Sequence, residues 1–315
     1  MRFDLLPLKL TLRRILPWVS TGAIVGYLLW TTSRNGAWQA NPVDLIPPQP
    51  WWILVLILAM PANWLLEAWK WHRLLLRNAA FKDSFREVLI GASWAFITPN
   101  RAGDVVARVA LLPKGSRAQG ARAFMTGAFA QMWITTFAGT CAWWMVYLNE
   151  PESLFQLSKW TFGIGALLVA LTLLGLCFYL LWRWPRMWSR FASASTDLQS
   201  EPLSLKLRIE TLLLSFLRFG VFSGQFFAAL TAWGISISGI KAWYIPLVYL
   251  GNMIIPSAAL SEMGSREALT LALFQPEASH WWATAIAVFS IWVINLGVPA
   301  LAGGILSLRR KTVIP

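Results

Sequence analysis

The chain is short of charge, of cysteine and of histidine. Of its 315 residues only 13% are charged, two are cysteine and two are histidine. Soluble domains carry about 25% charged residues. The two thiols, Cys141 and Cys177, both fall inside apolar stretches. They give no disulfide framework and no metal site. His72 and His280 stand alone near the ends of apolar segments, where a satisfied interfacial histidine is the plain reading. The pattern GxxxxGK[ST] is absent, so direct use of ATP is not expected. No Asp-x-Asp pair is present either, and acidic residues are scattered. No cofactor is expected.

What is present is apolar. Hydrophobic residues make up 57% of the chain, and the mean hydropathy is +0.55. The excess is spread over the whole length, in blocks of about 17–28 residues, long enough to cross a bilayer core. Short alternating segments, as a β-barrel needs, are absent. The expected fold class is therefore an all-α polytopic membrane protein in the cytoplasmic (inner) membrane. The net charge is +13. In this setting it is read as Lys and Arg holding loops in the cytoplasm, not as a nucleic-acid surface. There are 21 tryptophans. Pairs such as Trp51/Trp52, Trp143/Trp144 and Trp281/Trp282 fall at block ends, as an interfacial belt requires.

The blocks read as Ile15–Thr32, Trp51–Trp69, Val88–Pro99, Arg122–Leu148, Trp160–Trp182, Leu212–Ile237, Trp243–Leu260 and His280–Leu308. The first follows Lys9, Arg13 and Arg14 but shows no clear cleavage site, so it is read as a retained span. The N-terminus, the 70–86, 114–122 and 183–208 loops and the C-terminus are rich in Lys and Arg, and both termini are placed in the cytoplasm. The basic loops at 70–86 and 114–122 conflict with a single crossing between them. The arms Val88–Pro99 and Val105–Leu112 are each too short to span about 30 Å at 1.5 Å per residue. A re-entrant hairpin over 88–112, bending at Pro99–Gly103, resolves the conflict. The same logic gives a hairpin over 243–274 entering from outside and bending at Ser261–Ser265. About six full spans remain. Residues 1–157 and 158–315 then form two inverted repeats of one membrane domain, a plan common among secondary transporters.

Ionisable residues at membrane depth carry a functional expectation. Arg101, Asp104 and Arg108 are spaced i, i+3, i+7 and share one face if the segment is helical. Asp104 can pair with either arginine, which leaves one cation over. A phosphate suits such a place at a helix N-terminus. A solvated loop with ordinary ion pairs is the alternative. In the second bend Glu262 and Arg266 are i, i+4 with Glu267 beside them, and Gly264 permits the turn. A salt bridge that only locks the bend is the alternative. Arg218 interrupts an apolar block with Gln225 on the same face, either as a substrate contact or as a snorkelling arginine. Asn63 and Glu67 share a face near Lys70, where a Glu67–Lys70 structural pair is as acceptable as a site. The candidate substrate-binding set is Arg101, Asp104, Arg108, Arg218, Gln225, Glu262, Arg266 and Glu267.

The segment NWLLEAWKWHRLLLR, followed by PNRAGDVVAR at Pro99–Arg108 and much later by Gly264-Ser265-Arg266-Glu267, resembles the lysylphosphatidylglycerol synthase transmembrane, or flippase-like, family. Members include the membrane half of the multiple peptide resistance factor. The resemblance covers nearly the whole chain and implies translocation of an anionic or modified lipid between leaflets, without enzymatic activity. The partner it implies is a membrane lipid with an anionic headgroup. A homo-oligomer, or a lipid-modifying partner enzyme that this chain would serve as accessory subunit, stays open. A polyprenyl-phosphate glycosyltransferase is the competing enzyme reading. The chain departs from the family in three places. Asp104 stands where glutamate is commoner, and Met263 where a glycine commonly precedes the late motif. The span Gly127–Gly139 also lacks the charged cluster of many relatives. No aminoacyl-transferase domain accompanies the resemblance, so lipid aminoacylation is not expected.

Overall fold

A computed structural model describes residues 22–34, 46–76, 79–98, 101–149, 160–181, 203–255, 259–277 and 280–308. The basic termini, most of the 183–208 loop, the gap at 150–159, Pro99 and Pro256 lie outside these residues. The described residues are helical and include no strand. In chain order the helices are α1 (22–34), α2 (Trp51–Leu75), α3 (Phe81–Ile97), α4 (Ala102–Ala110), α5 (Arg117–Asn149), α6 (Trp160–Leu181), α7 (Leu205–Ala232), α8 (Tyr244–Ile254), α9 (Ala259–Phe274) and α10 (Trp281–Leu308). Within α10, Val293–Gly297 winds as a π-helical turn.

Four of these helices, α2, α6, α7 and α10, are long and apolar enough to cross a membrane. That is fewer than the six spans expected. Helix α5 has 33 residues, ~50 Å at 1.5 Å per residue, but its inner face carries small and hydroxylated residues such as Gly120, Thr126, Gly127 and Thr135. The first apolar block is described only from residue 22 onward. Leucines and isoleucines of α6 and α7 face outward, among them Leu167, Leu171, Leu174, Leu213 and Leu217. A lipid-facing surface has this composition, since nothing drives such side chains inward from hydrocarbon.

The packing is built on crossed pairs. Helices α2 and α7 lie along one another, and α3 and α4 fold back as a pair, as do α8 and α9. Helix α3 packs against the C-terminal half of α10, and α8 packs against α5. Helix α2 also touches α5, and α7 touches α10. Two glycines set how closely the first pair approaches. A Cβ at Gly91 would collide with the Asp104 carboxylate, and one at Gly103 with the Trp94 carbonyl. The core cluster gathers Phe226, Val248, Val288 and Ile291 from α7, α8 and α10.

Three boundary expectations are corrected. Helix α3 starts at Phe81, so Lys82 and Arg86 are helical and do not belong to a loop; Lys70 and Arg73 likewise lie within α2. The arm grows to 17 residues, ~25 Å, which is still short of a ~30 Å core. Second, α4 runs Ala102–Ala110, so Gly103 lies inside the helix and the turn falls earlier. Third, Ser261–Ser265 are not a bend. They lie in the first turns of α9, which starts at Ala259, and α8 ends at Ile254. Ile255 is extended (φ −78°, ψ 115°), as the residue before a proline must be. The Glu262–Arg266 pair at i, i+4 favours helix where a bend was expected. Gly264 serves packing instead: its missing Cβ makes room for Ile24 of α1.

Candidate functional site

Helix α4 is held to α3 by Thr98. Its Oγ1 donates to the Trp94 carbonyl at 2.7 Å and accepts from the Gly103 amide at 2.7 Å. Thr98 itself is extended, as expected before Pro99. Arg101 then adopts the left-handed region, φ 57° and ψ 24°, immediately before the helix. A non-glycine residue there is strained by about 1–2 kcal/mol. Its cationic side chain is 42% exposed.

Two turns further along α4 stands Arg108, which is buried. Its Nε donates to Asp104 Oδ1 at 2.6 Å and its Nη2 to Asp104 Oδ2 at 2.9 Å. Its Nη1 reaches Glu67 Oε1 of α2 at 3.0 Å. The rings of Trp71 and Phe124 close on the guanidinium from 5.5 and 5.4 Å. Glu67 is a hub: its Oε2 lies 2.8 Å from Lys70 Nζ and 3.0 Å from Arg218 Nη1. Arg218 Nε donates to Asn63 Oδ1 at 2.9 Å. One carboxylate on α2 therefore joins α4 and α7.

The second helical pair contributes less tightly bound charge. Arg266 Nη2 donates to Glu262 Oε1 at 2.8 Å, and its guanidinium lies 5.6 Å over the Tyr249 ring. Arg266 Nε is buried with no hydrogen-bond partner. Ser265 Oγ donates to Asn252 Oδ1 at 2.6 Å and ties α9 to α8. Arg101 Nη1 faces Glu262 Oε2 across the gap at 4.0 Å, so the ends of the two pairs meet.

These groups line one cavity of about 600 Å³. Of the eight residues expected from the sequence, it brings together Arg101, Asp104, Arg108, Arg218, Glu262 and Arg266. Gln225 and Glu267 are not on its wall. Gln225 is fully buried; its Nε2 donates to the Leu56 carbonyl at 2.9 Å and its Oε1 accepts from Asn295 Nδ2 at 2.9 Å. A backbone carbonyl only accepts, so this fixes which end of both amides faces which way. Gln225 therefore orients Asn295, a wall residue in the π turn of α10, without reaching the cavity itself. Such turns recur at functional sites.

Sequence reasoning undervalued α2. Asn63, Glu67 and Lys70 all line the cavity, Lys70 from within α2 and not from the loop that its charge suggests. Their i, i+4, i+7 spacing in a helix of membrane-spanning length was the available signal. Gln131, in the uncharged stretch Gly127–Gly139, also reaches the wall, and its Oε1 lies 3.5 Å from Arg218 Nη1. Nothing in the one-dimensional pattern marks it. Asn252 and Asn295 are likewise found only by the fold.

Chemically, the cavity can hold a phosphate oxyanion on guanidinium forks while apolar helix faces outside it meet lipid. The family described as the lysylphosphatidylglycerol synthase TM region matches residues 18–303 of the chain. No curated protein and no solved structure matches it.

Proposed function

The chain belongs to the lysylphosphatidylglycerol synthase TM-region family, and we propose that it is a lipid transporter, not an enzyme. In this reading a lipid headgroup crosses through the charged cavity while its acyl or prenyl chains stay in the bilayer. One observation carries the proposal. Eight charged side chains converge on a cavity inside a helix bundle whose outer surface is apolar. Ionisable groups at such depth are costly unless they serve a path.

The proposal includes a finer architecture. Helices α3/α4 and α8/α9 are two re-entrant hairpins that enter from opposite sides of the cytoplasmic membrane. Residues 1–157 and 158–315 are inverted repeats with both termini in the cytoplasm. The crossed packing supports this: the first arm of each pair lies on the last long helix of the other half, α3 on α10 and α8 on α5. Helices α2 and α7, equivalent in the two halves, run together at the centre. Asp104, Glu67 and Glu262 hold the cationic groups in place between transport cycles.

The test is reconstitution. Purified protein in liposomes is expected to move a fluorescent anionic lipid to the outer leaflet, where dithionite bleaches it. Arg101→Ala and Arg266→Ala are each expected to lower that rate at least about tenfold while the protein still inserts. Wild-type rates from both variants would overturn the assignment.

A further inference from the structure

The transport reading locates a ligand; the charge balance of the cavity says what kind. The wall carries five cations, Lys70, Arg101, Arg108, Arg218 and Arg266. It carries three carboxylates, Glu67, Asp104 and Glu262. Every carboxylate is already engaged: Asp104 by Arg108, Glu67 by Lys70, Arg108 and Arg218, and Glu262 by Arg266 with Arg101 at 4.0 Å. Helix α5 brings only Gln131 and Thr135 as polar wall groups, and α10 brings Asn295. From α8 come Asn252 and Tyr249, whose hydroxyl donates to the Phe222 carbonyl at 3.0 Å. The formal balance of the wall is two positive charges in excess.

That excess lies in a setting where uncompensated charge is expensive. An occupant that neutralises it brings two negative charges. A phosphodiester headgroup brings one. A lysylated phosphodiester headgroup sets two ammonium groups against one phosphate and adds to the excess. A phosphomonoester carries about −1.5 to −2 near pH 7. The free capacity is also well placed. Arg108 is saturated by two carboxylates and two rings, whereas Arg101 is partly exposed with its carboxylate at 4.0 Å, and Arg266 has an unpartnered Nε. Those two guanidiniums face each other across Glu262, one from each helical pair.

We infer that the cavity is selective for a lipid whose headgroup ends in a dianionic phosphoryl group, with Arg101 and Arg266 as its principal contacts. It disfavours phosphodiester lipids and, more strongly, aminoacylated ones. The inference depends on the proposed function only for the place of the ligand.

Binding of fluorescent phosphatidate, phosphatidylglycerol and lysyl-phosphatidylglycerol to the full chain in nanodiscs tests it. At pH 7.5 phosphatidate is expected to bind at least about tenfold more tightly than phosphatidylglycerol, with lysyl-phosphatidylglycerol weakest. The phosphatidate preference is expected to shrink severalfold as pH falls to 5.5 and the dianion takes up a proton to become a monoanion, near pKa ~6. Phosphatidylglycerol, which has no such proton, corrects for titration of the protein. Arg101→Gln is expected to erase most of the preference. Equal binding of the diester, or a preference that ignores pH, would overturn the inference. Glycerol 3-phosphate binding as tightly as phosphatidate would also overturn it, by showing a site for the soluble ester. Selective binding of phosphatidate without translocation in liposomes would sustain this inference and sink the transport reading. Translocation of all headgroups at one rate would do the reverse.

Discussion

The two helical pairs meet at one cavity but hold their arginines differently. Arg108 on α4 is buried, makes three ion-pair hydrogen bonds and sits between two rings. Arg266 on α9 makes one such bond, faces one ring and keeps a buried Nε without a partner. Both began as the same sequence signal, an acid and an arginine at i, i+4. The difference lies in what α2 delivers. Glu67 supplies the first pair with a second carboxylate, and α9 has no equivalent among the cavity-lining residues. Arg108 is thus a finished structural knot, whereas Arg266, like Arg101 at the start of α4, retains binding capacity.

Stability separates the two most sharply. Glu67→Ala strands Lys70, Arg108 and Arg218 without their shared carboxylate. Breaking a buried pair from one side costs about 3–5 kcal/mol. Glu262→Ala removes a partner from a less occupied arginine and is expected to cost about 1.5–3 kcal/mol, the range for hydrogen bonds to charged groups. Thermal unfolding in detergent measures both, and equal losses would erase the contrast. A smaller loss is expected at Gly91→Ala. Its new methyl meets Asp104 and Arg108, so α3 and α4 must part at a typical overpacking cost of about 1–3 kcal/mol. The matching change on the other pair, Gly251→Ala, meets only the end of the Leu269 side chain of α9 and is expected to be milder. The last test alters stability least. In a background without Cys141 and Cys177, cysteines placed by Asn100→Cys and Met263→Cys are expected to react with a membrane-impermeant reagent from opposite sides. Labelling from one side only would defeat the inverted arrangement.

Much of this was legible before folding. The apolar blocks found α6 almost to the residue, and the arm lengths pointed to paired short helices. Arg101, Asp104 and Arg108, which line the cavity, were legible as a candidate set because a proline and three charges interrupt an apolar stretch. The second bend is not at Gly264, which is helical: α8 ends at Ile254, and Ile255, which precedes a proline, is extended. For Lys70 the Glu67–Lys70 pair expected from the sequence is present, and only its assignment to a loop fails, because a basic residue at a span end usually marks one. Here Glu67, one turn back, draws it inward.

By itself, the sequence determined that the chain is helical, belongs in a membrane and sets charged residues among apolar blocks. Those properties follow from hydropathy and from 1.5 Å of rise per residue, both of which are local. Only the tertiary structure decided which charges cancel. Ion pairing falls off within a few ångströms, and the partners lie far apart along the chain, as with Glu67 and Arg218, 151 positions from one another, or Arg101 and Glu262, 161 positions apart. It also decided that Gln225 orients Asn295 from behind the wall and that Glu267 stands off it. A one-dimensional face shows that a residue points inward, but not whether a cavity or another side chain meets it there.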